Sequence, residues 1–146
     1  MLVERMLDLG RVKPGDMVYD LGSGDGRIVI TAAQKYGARA VGIEIRPDLC
    51  KHAMEQIKSL GLEDRVRMIE TSALRVDLSP ANVVTMYLLT SSNERLKPNL
   101  ERDLKPGSRV VSNQFPIRGW KPLEVVMLKV GSADHNIYVY EIGKQH

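Results

Sequence analysis

Apolar residues fall alternately into short continuous runs and into stretches spaced by three and four. Val3, Met6 and Leu7 take helical spacing, and Gly10 supplies a stop. A Pro14-Gly15 turn then leads into a short buried strand, Met17 to Asp20. Val29, Ala32, Ala33 and Tyr36 stand at i, i+3, i+4 and i+7, so a helix is predicted from about Arg27, closed by Gly37. Ala40 to Ile45 is a second apolar strand. Pro47 opens the next helix, with Cys50, Ala53, Met54 and Ile57 on one face and Gly61 beyond its end. Further strands are predicted over about Val66 to Glu70 and Asn82 to Met86.

The second half is less regular. Ser91-Ser92-Asn93-Glu94 has the form of a capping box opening a helix, which Pro98 should break or kink because proline has no N–H to donate. Pro106-Gly107 turns into a fifth strand, Arg109 to Ser112. Val125 to Val130 and Ile137 to Ile142 follow with only a polar turn near Gly131 to Asn136 between them. Two strands without an intervening helix predict a closing hairpin, with an antiparallel strand at one sheet edge. Strand–helix alternation over the rest predicts an α/β fold: a doubly wound, Rossmann-like, mostly parallel sheet ending in that hairpin.

Composition narrows the function. At 146 residues the chain has the size of a single domain, expected over 1–146. Its net charge of +3 comes from Lys and Arg mixed among Asp and Glu, not clustered, so a nucleic-acid groove is not expected. One cysteine excludes an intramolecular disulfide, and no apolar run nears the roughly 18 residues of a membrane span. With no charged-then-apolar leader before the first helix, a cytoplasmic protein is expected. Cys50 and His52 sit two apart on a predicted helix and face different ways, so no metal site is expected.

The candidate chemistry lies after the first strand. In an open parallel sheet, ligands bind beyond the carboxyl ends of the strands. There Asp20 is followed by Gly22, Gly24 and Gly26 at alternate positions, with Ser23 between. The spacing is G-x-G-x-G, whereas dinucleotide enzymes use G-x-G-x-x-G to seat a pyrophosphate on a helix N-terminus. S-adenosylmethionine has no pyrophosphate. Its methionine end needs N–H donors for the carboxylate and an acceptor for the ammonium, and Asp20 is placed to be that acceptor. Glu44, ending the second strand, suits the two ribose hydroxyls, one on each carboxylate oxygen. A nicotinamide cofactor remains an alternative, since a second-strand acid fits it too.

VYDLGSGDGRIVI followed by AVGIEIRP resembles motif I and the acidic second-strand motif of class I S-adenosylmethionine-dependent methyltransferases. Val83 to Pro122, with the ending IYVYEIG, is similar to the small archaeal broad-specificity protein-lysine methyltransferases. The resemblance implies a cofactor-binding set of Asp20, Gly22, Ser23, Gly24, Gly26, Glu44, Ile45, Ser72, Ala73 and Leu88. It implies protein substrates with exposed lysines, the chain itself among them. There are two departures. Family members carry a Pro-Thr-Pro-like segment before the first helix that helps cover the cofactor, whereas this sequence starts at Met1-Leu2-Val3, inside the predicted helix. Ser72 stands where the family tends to have Asp or Asn beside the adenine amino group.

Methyl transfer from a sulfonium is an in-line displacement, so catalysis consists mainly of alignment. Thr85 to Thr90 (TMYLLT) replaces the Asn/Asp-Pro-Pro-aromatic motif found in enzymes that methylate base amino groups or glutamine amides. A lysine, with a reference pKa of about 10.4, must be held neutral, which an apolar and aromatic channel does by desolvation. Among seven aromatic residues, Tyr87 follows the fourth strand, and Phe115 and Trp120 follow the fifth. These three are the expected walls of the acceptor channel. The alternatives are an RNA or small-molecule methyltransferase on the same scaffold, or a non-catalytic cofactor-binding module.

Overall fold

The computed structural model describes residues 2–146. Its elements run α1 (Leu2–Leu9), β1 (Met17–Leu21), α2 (Arg27–Tyr36), β2 (Arg39–Glu44), α3 (Pro47–Ser59) and β3 (Val66–Glu70). A 3-10 turn (Ala73–Arg75), β4 (Val83–Met86), α4 (Thr90–Asp103), β5 (Arg109–Asn113), β6 (Glu124–Val130) and β7 (Ala133–Glu141) follow. The seven strands form one sheet in the order β3-β2-β1-β4-β5-β7-β6, so the chain reverses direction across the sheet between β1 and β4.

Both faces of the central strands are covered, which is why they read as continuous apolar runs. Alternate residues point opposite ways. Val18, Ala40 and Val83 pack with Leu7, Val29, Ala32 and Ile57 of α1, α2 and α3. Tyr19, Val41, Val84 and Val110 pack with Leu96 and Leu100 of α4. Leu21 lies on the α4 side, so its neighbour Asp20 faces the α1–α2 side at the carboxyl end of β1.

Three expectations are corrected. The Ser91–Glu94 segment caps nothing: α4 starts at Thr90, and its cap position, Leu89, makes no side-chain cap bond. Asn93 is drawn instead to tertiary partners, donating to the carbonyls of Phe115 and Pro116 at 3.0 and 3.3 Å. Helix α4 also runs through Pro98 without a break. One backbone bond is lost there, and the apolar anchors Leu96 and Leu100 on either side hold the helix to the sheet. Finally, the hairpin turn is tighter than Gly131 to Asn136, because pairing continues to Val130↔Ala133. The antiparallel strand is β7, but β6 takes the edge and β7 fills the gap between it and β5.

Candidate functional site

The carboxyl ends of β1, β2 and β4 carry two adjoining hollows. One, of about 440 Å³, is lined by Gly22, Glu44, Ile45, Ser72, Ala73, Tyr87 and Leu88 among others. The other, of about 590 Å³, is lined by Asp20, Gly22, Ser23, Gly24 and Tyr87, with Leu2, Val3 and Met6 of α1, Asn113 of β5 and Val130 of β6. Gly22, Leu49 and Tyr87 belong to both, so the hollows meet there. A separate hollow of about 730 Å³, between α3 and the edge strand β3, contains none of the predicted site residues.

The glycine loop works differently from its sequence-based expectation. The N–H groups of Gly22 and Ser23 both donate to the Ile43 carbonyl, at 2.9 and 2.8 Å, and that of Gly26 to the Ser23 carbonyl. Gly24 N–H donates to Glu44 Oε1 at 2.7 Å. None of these four is left for a ligand carboxylate. What the loop offers is room: Gly24 has φ +61°, and a Cβ there would meet nothing within 4 Å. Ligand can therefore lie directly on the main chain. Gly26 lines neither hollow, and an added Cβ would stand 3.1 Å from Ala53 Cβ, so this glycine lets α2 approach α3.

Asp20 is the electrostatic centre of the second hollow. It is 3% exposed, and its Oδ1 accepts from the Thr85 hydroxyl at 2.8 Å, from the residue in register with it on β4. Burial pushes its carboxyl up to about 7, against the pull of the Thr85 hydroxyl. A cation in the hollow would supply the charge that its surroundings lack. Glu44 is also buried, its Oε1 taking Gly24 N–H and its Oε2 taking Arg46 N–H at 3.0 Å. Each oxygen keeps a second lone-pair site toward the first hollow. Ser72 Oγ accepts from Leu74 N–H at 3.2 Å, so its oxygen is already partly used in capping the 3-10 turn. Room beside Gly24, an under-solvated acid and a two-oxygen acceptor fit S-adenosylmethionine, with its ammonium toward Asp20 and its ribose toward Glu44.

The three predicted channel aromatics separate. Tyr87 is 54% exposed at the junction of the hollows. Phe115 lies behind it, ring centroids 6.2 Å apart and planes 23° apart, so it backs Tyr87 without lining either hollow. Trp120 is elsewhere. It is 6% exposed, stands edge-on to Tyr140 and donates Nε1–H to Glu101 near the end of α4, 3.0 Å away. Its nitrogen is satisfied in the core on the α4 side, and it is withdrawn from the channel.

Sequence reasoning missed Thr85, Asn93, Asn113 and the α1 contribution. Asn113 was detectable in principle: it is a polar residue ending the fully buried strand β5. Asn93, fully buried, pins the loop that carries Phe115, as does the Ser112 hydroxyl, which donates to the Phe115 carbonyl at 2.6 Å. Among the described residues, no cluster of His, Cys, Asp and Glu could hold a metal ion, and no helix is long and apolar enough to cross a membrane.

Residues 20–124 match the model of the ANTKMT methyltransferase domain. The chain is 48% identical over 98% of its length to a protein-lysine N-methyltransferase of Saccharolobus islandicus, spanning 89% of that protein. It is 36% identical over 96% of its length to the mouse adenine nucleotide translocase lysine N-methyltransferase, of which it spans 59%. A crystal structure described as an RNA methyltransferase from Salinibacter ruber, in complex with S-adenosyl-L-homocysteine, superposes with a TM-score of 0.91. It is 47% identical, over 97% of this chain and 90% of that one.

Proposed function

We propose, on the premise that this chain belongs to the ANTKMT methyltransferase domain family, that it methylates the side-chain amines of lysines in proteins. It is an S-adenosylmethionine-dependent methyltransferase. When bound, the cofactor supplies a methyl group already activated on a sulfonium.

The chain's own work is alignment. Glu44 holds the ribose and Asp20 the ammonium, and the meeting of the hollows at Gly22 and Tyr87 puts the reacting centre between them. The observation that carries the lysine reading is the wall facing Asp20. Leu2, Val3 and Met6 of α1, Asn113 of β5 and Val130 of β6 bring no charge to it, and the two other charged residues lining the hollow, Asp25 and Arg27, pair with each other at 2.8 Å. Such a wall covers the lysine methylenes and disfavours the ammonium, which raises the share of neutral, nucleophilic amine. Tyr87, stiffened by Phe115, closes the channel over the acceptor.

The test is incubation of the protein with isotopically labelled S-adenosylmethionine and a mixed lysate, followed by acid hydrolysis. Methyl-lysine in the protein fraction is expected. Label in RNA and none in protein would overturn this reading in favour of RNA methylation, which the description of the Salinibacter ruber relative supports. The chain's own exposed lysines, such as Lys51 and Lys58, make self-methylation a second expected product, seen as added methyl mass. The lone buried Cys50 supports a reducing compartment, and we place the protein in the cytoplasm.

A further inference from the structure

The floor of the acceptor side holds a polar pair that the cofactor does not need. Asn113, at the end of β5, is 1% exposed and lines the second hollow with Tyr87 and Val130. Its Oδ1 lies 3.1 Å from Nδ1 of His135 on β7, and a half-turn of the carboxamide puts its NH₂ there instead. Asn113 pairs with Ile137 across the β5–β7 ladder, and His135, two residues before Ile137, shares that face of the sheet. A buried carboxamide that ends a strand beside the reacting centre and is gripped from one side by an imidazole presents its other end to the cavity.

We propose that Asn113 receives the acceptor amine and that His135 is the positioning residue that decides which end of the amide meets it. This inference rests on the lysine reading above. An amide has the same shape either way round, so the histidine tautomer sets the sense of the bond. With hydrogen on Nε2, the amide takes the half-turned orientation: His135 Nδ1 accepts from the Asn113 NH₂, and the amide oxygen faces the hollow. That oxygen accepts one N–H of the neutral amine and leaves the amine lone pair free. Being uncharged, it holds the amine without favouring the ammonium, as an aspartate would. In the transfer itself the lone pair forms the N–C bond, the C–S electron pair returns to sulfur, and the positive charge passes to nitrogen. The extra proton then leaves to water.

The tautomer is read directly from ¹⁵N shifts of His135 in the free protein, with His135→Ala assigning the signal. The Nε2–H form is expected; the Nδ1–H form would turn the NH₂ to the amine and overturn the proposal. In turnover, Asn113→Ala should lower kcat by roughly ten- to a hundred-fold. His135→Ala should act in the same direction. S-adenosylhomocysteine affinity by calorimetry should stay within about twofold in both variants, because neither residue touches the cofactor-binding acids. Unchanged kcat in Asn113→Ala, or a loss confined to cofactor affinity, would sink the inference. Failure of the unsubstituted protein to methylate lysine would instead sink the reading beneath it.

Discussion

The two sides of the site are built on opposite plans. The cofactor side comes from β1, β2 and the turns after them, and backbone and buried carboxylates do the work. Glu44 fixes Gly24 across a gap of 20 residues, and Asp20 is held by Thr85 on the neighbouring strand. The acceptor side is assembled from the start of α1, the residue after β4, the end of β5 and the β6–β7 turn. It is apolar and neutral apart from the Asn113–His135 pair. The first side is stiff and electrostatic and suits an invariant cofactor. The second is a set of side chains on separate elements, where exchange of a few residues changes the acceptor without disturbing the donor.

If that division is right, substitutions on the two sides must separate binding from turnover. The largest effect is expected for Glu44→Ala, which removes the proposed ribose acceptor and also releases Gly24. Affinity for S-adenosylhomocysteine should fall about a thousand-fold by calorimetry, with the thermal transition still cooperative. An unchanged affinity would mean the ribose is held elsewhere.

Asp20→Asn should weaken cofactor binding by roughly ten- to a hundred-fold, and it carries a second signature. The folded-state pKa of Asp20, about 7, lies above its unfolded value. The folded protein therefore binds this proton more tightly, and Asp20 costs stability increasingly as pH rises from about 4 to about 7. Above pH 7 the variant should be the more stable protein when free of cofactor, by at most about 4 kcal/mol. The advantage should fade toward pH 4. Melting curves at pH 8 and pH 5 read this, and equal melting temperatures at pH 8 would refute the strained-acid account.

The aromatics sharpen the comparison from the acceptor side. Trp120→Ala should cost about 3–5 kcal/mol of stability, with turnover per folded molecule nearly unchanged. Phe115→Ala should do the reverse, slowing turnover about fivefold through a loosened Tyr87 at little cost to stability. Exchanged phenotypes would put Trp120 back in the channel. The smallest effect is expected for Ser72→Ala. Its hydroxyl already caps the 3-10 turn, so cofactor affinity should fall only about threefold by calorimetry.

The same asymmetry explains what could be read in advance. Asp20, the glycines and Glu44 lie within 25 consecutive residues of one strand–turn–helix–strand unit, so their meeting is local geometry. The strands were visible because both faces are buried. Trp120 was misplaced because the segment after β5 carries no periodic pattern to say which side of the sheet it follows. Tertiary packing on Tyr140 and Glu101 decided that. Ser91 to Glu94 was read as a capping box, when Asn93 within it is held by partners 22 and 23 residues away. Nor does spacing alone disclose that the loop N–H groups are spent on Ile43 and Glu44.

The most direct measurement is a crystal structure with S-adenosylhomocysteine. The account predicts the ribose on both Glu44 oxygens, the amino group on Asp20 and the sulfur packed between Gly22 and Tyr87, facing Asn113. Ligand in the hollow between α3 and β3, or sulfur on the far side of Leu88 from Asn113, would contradict it.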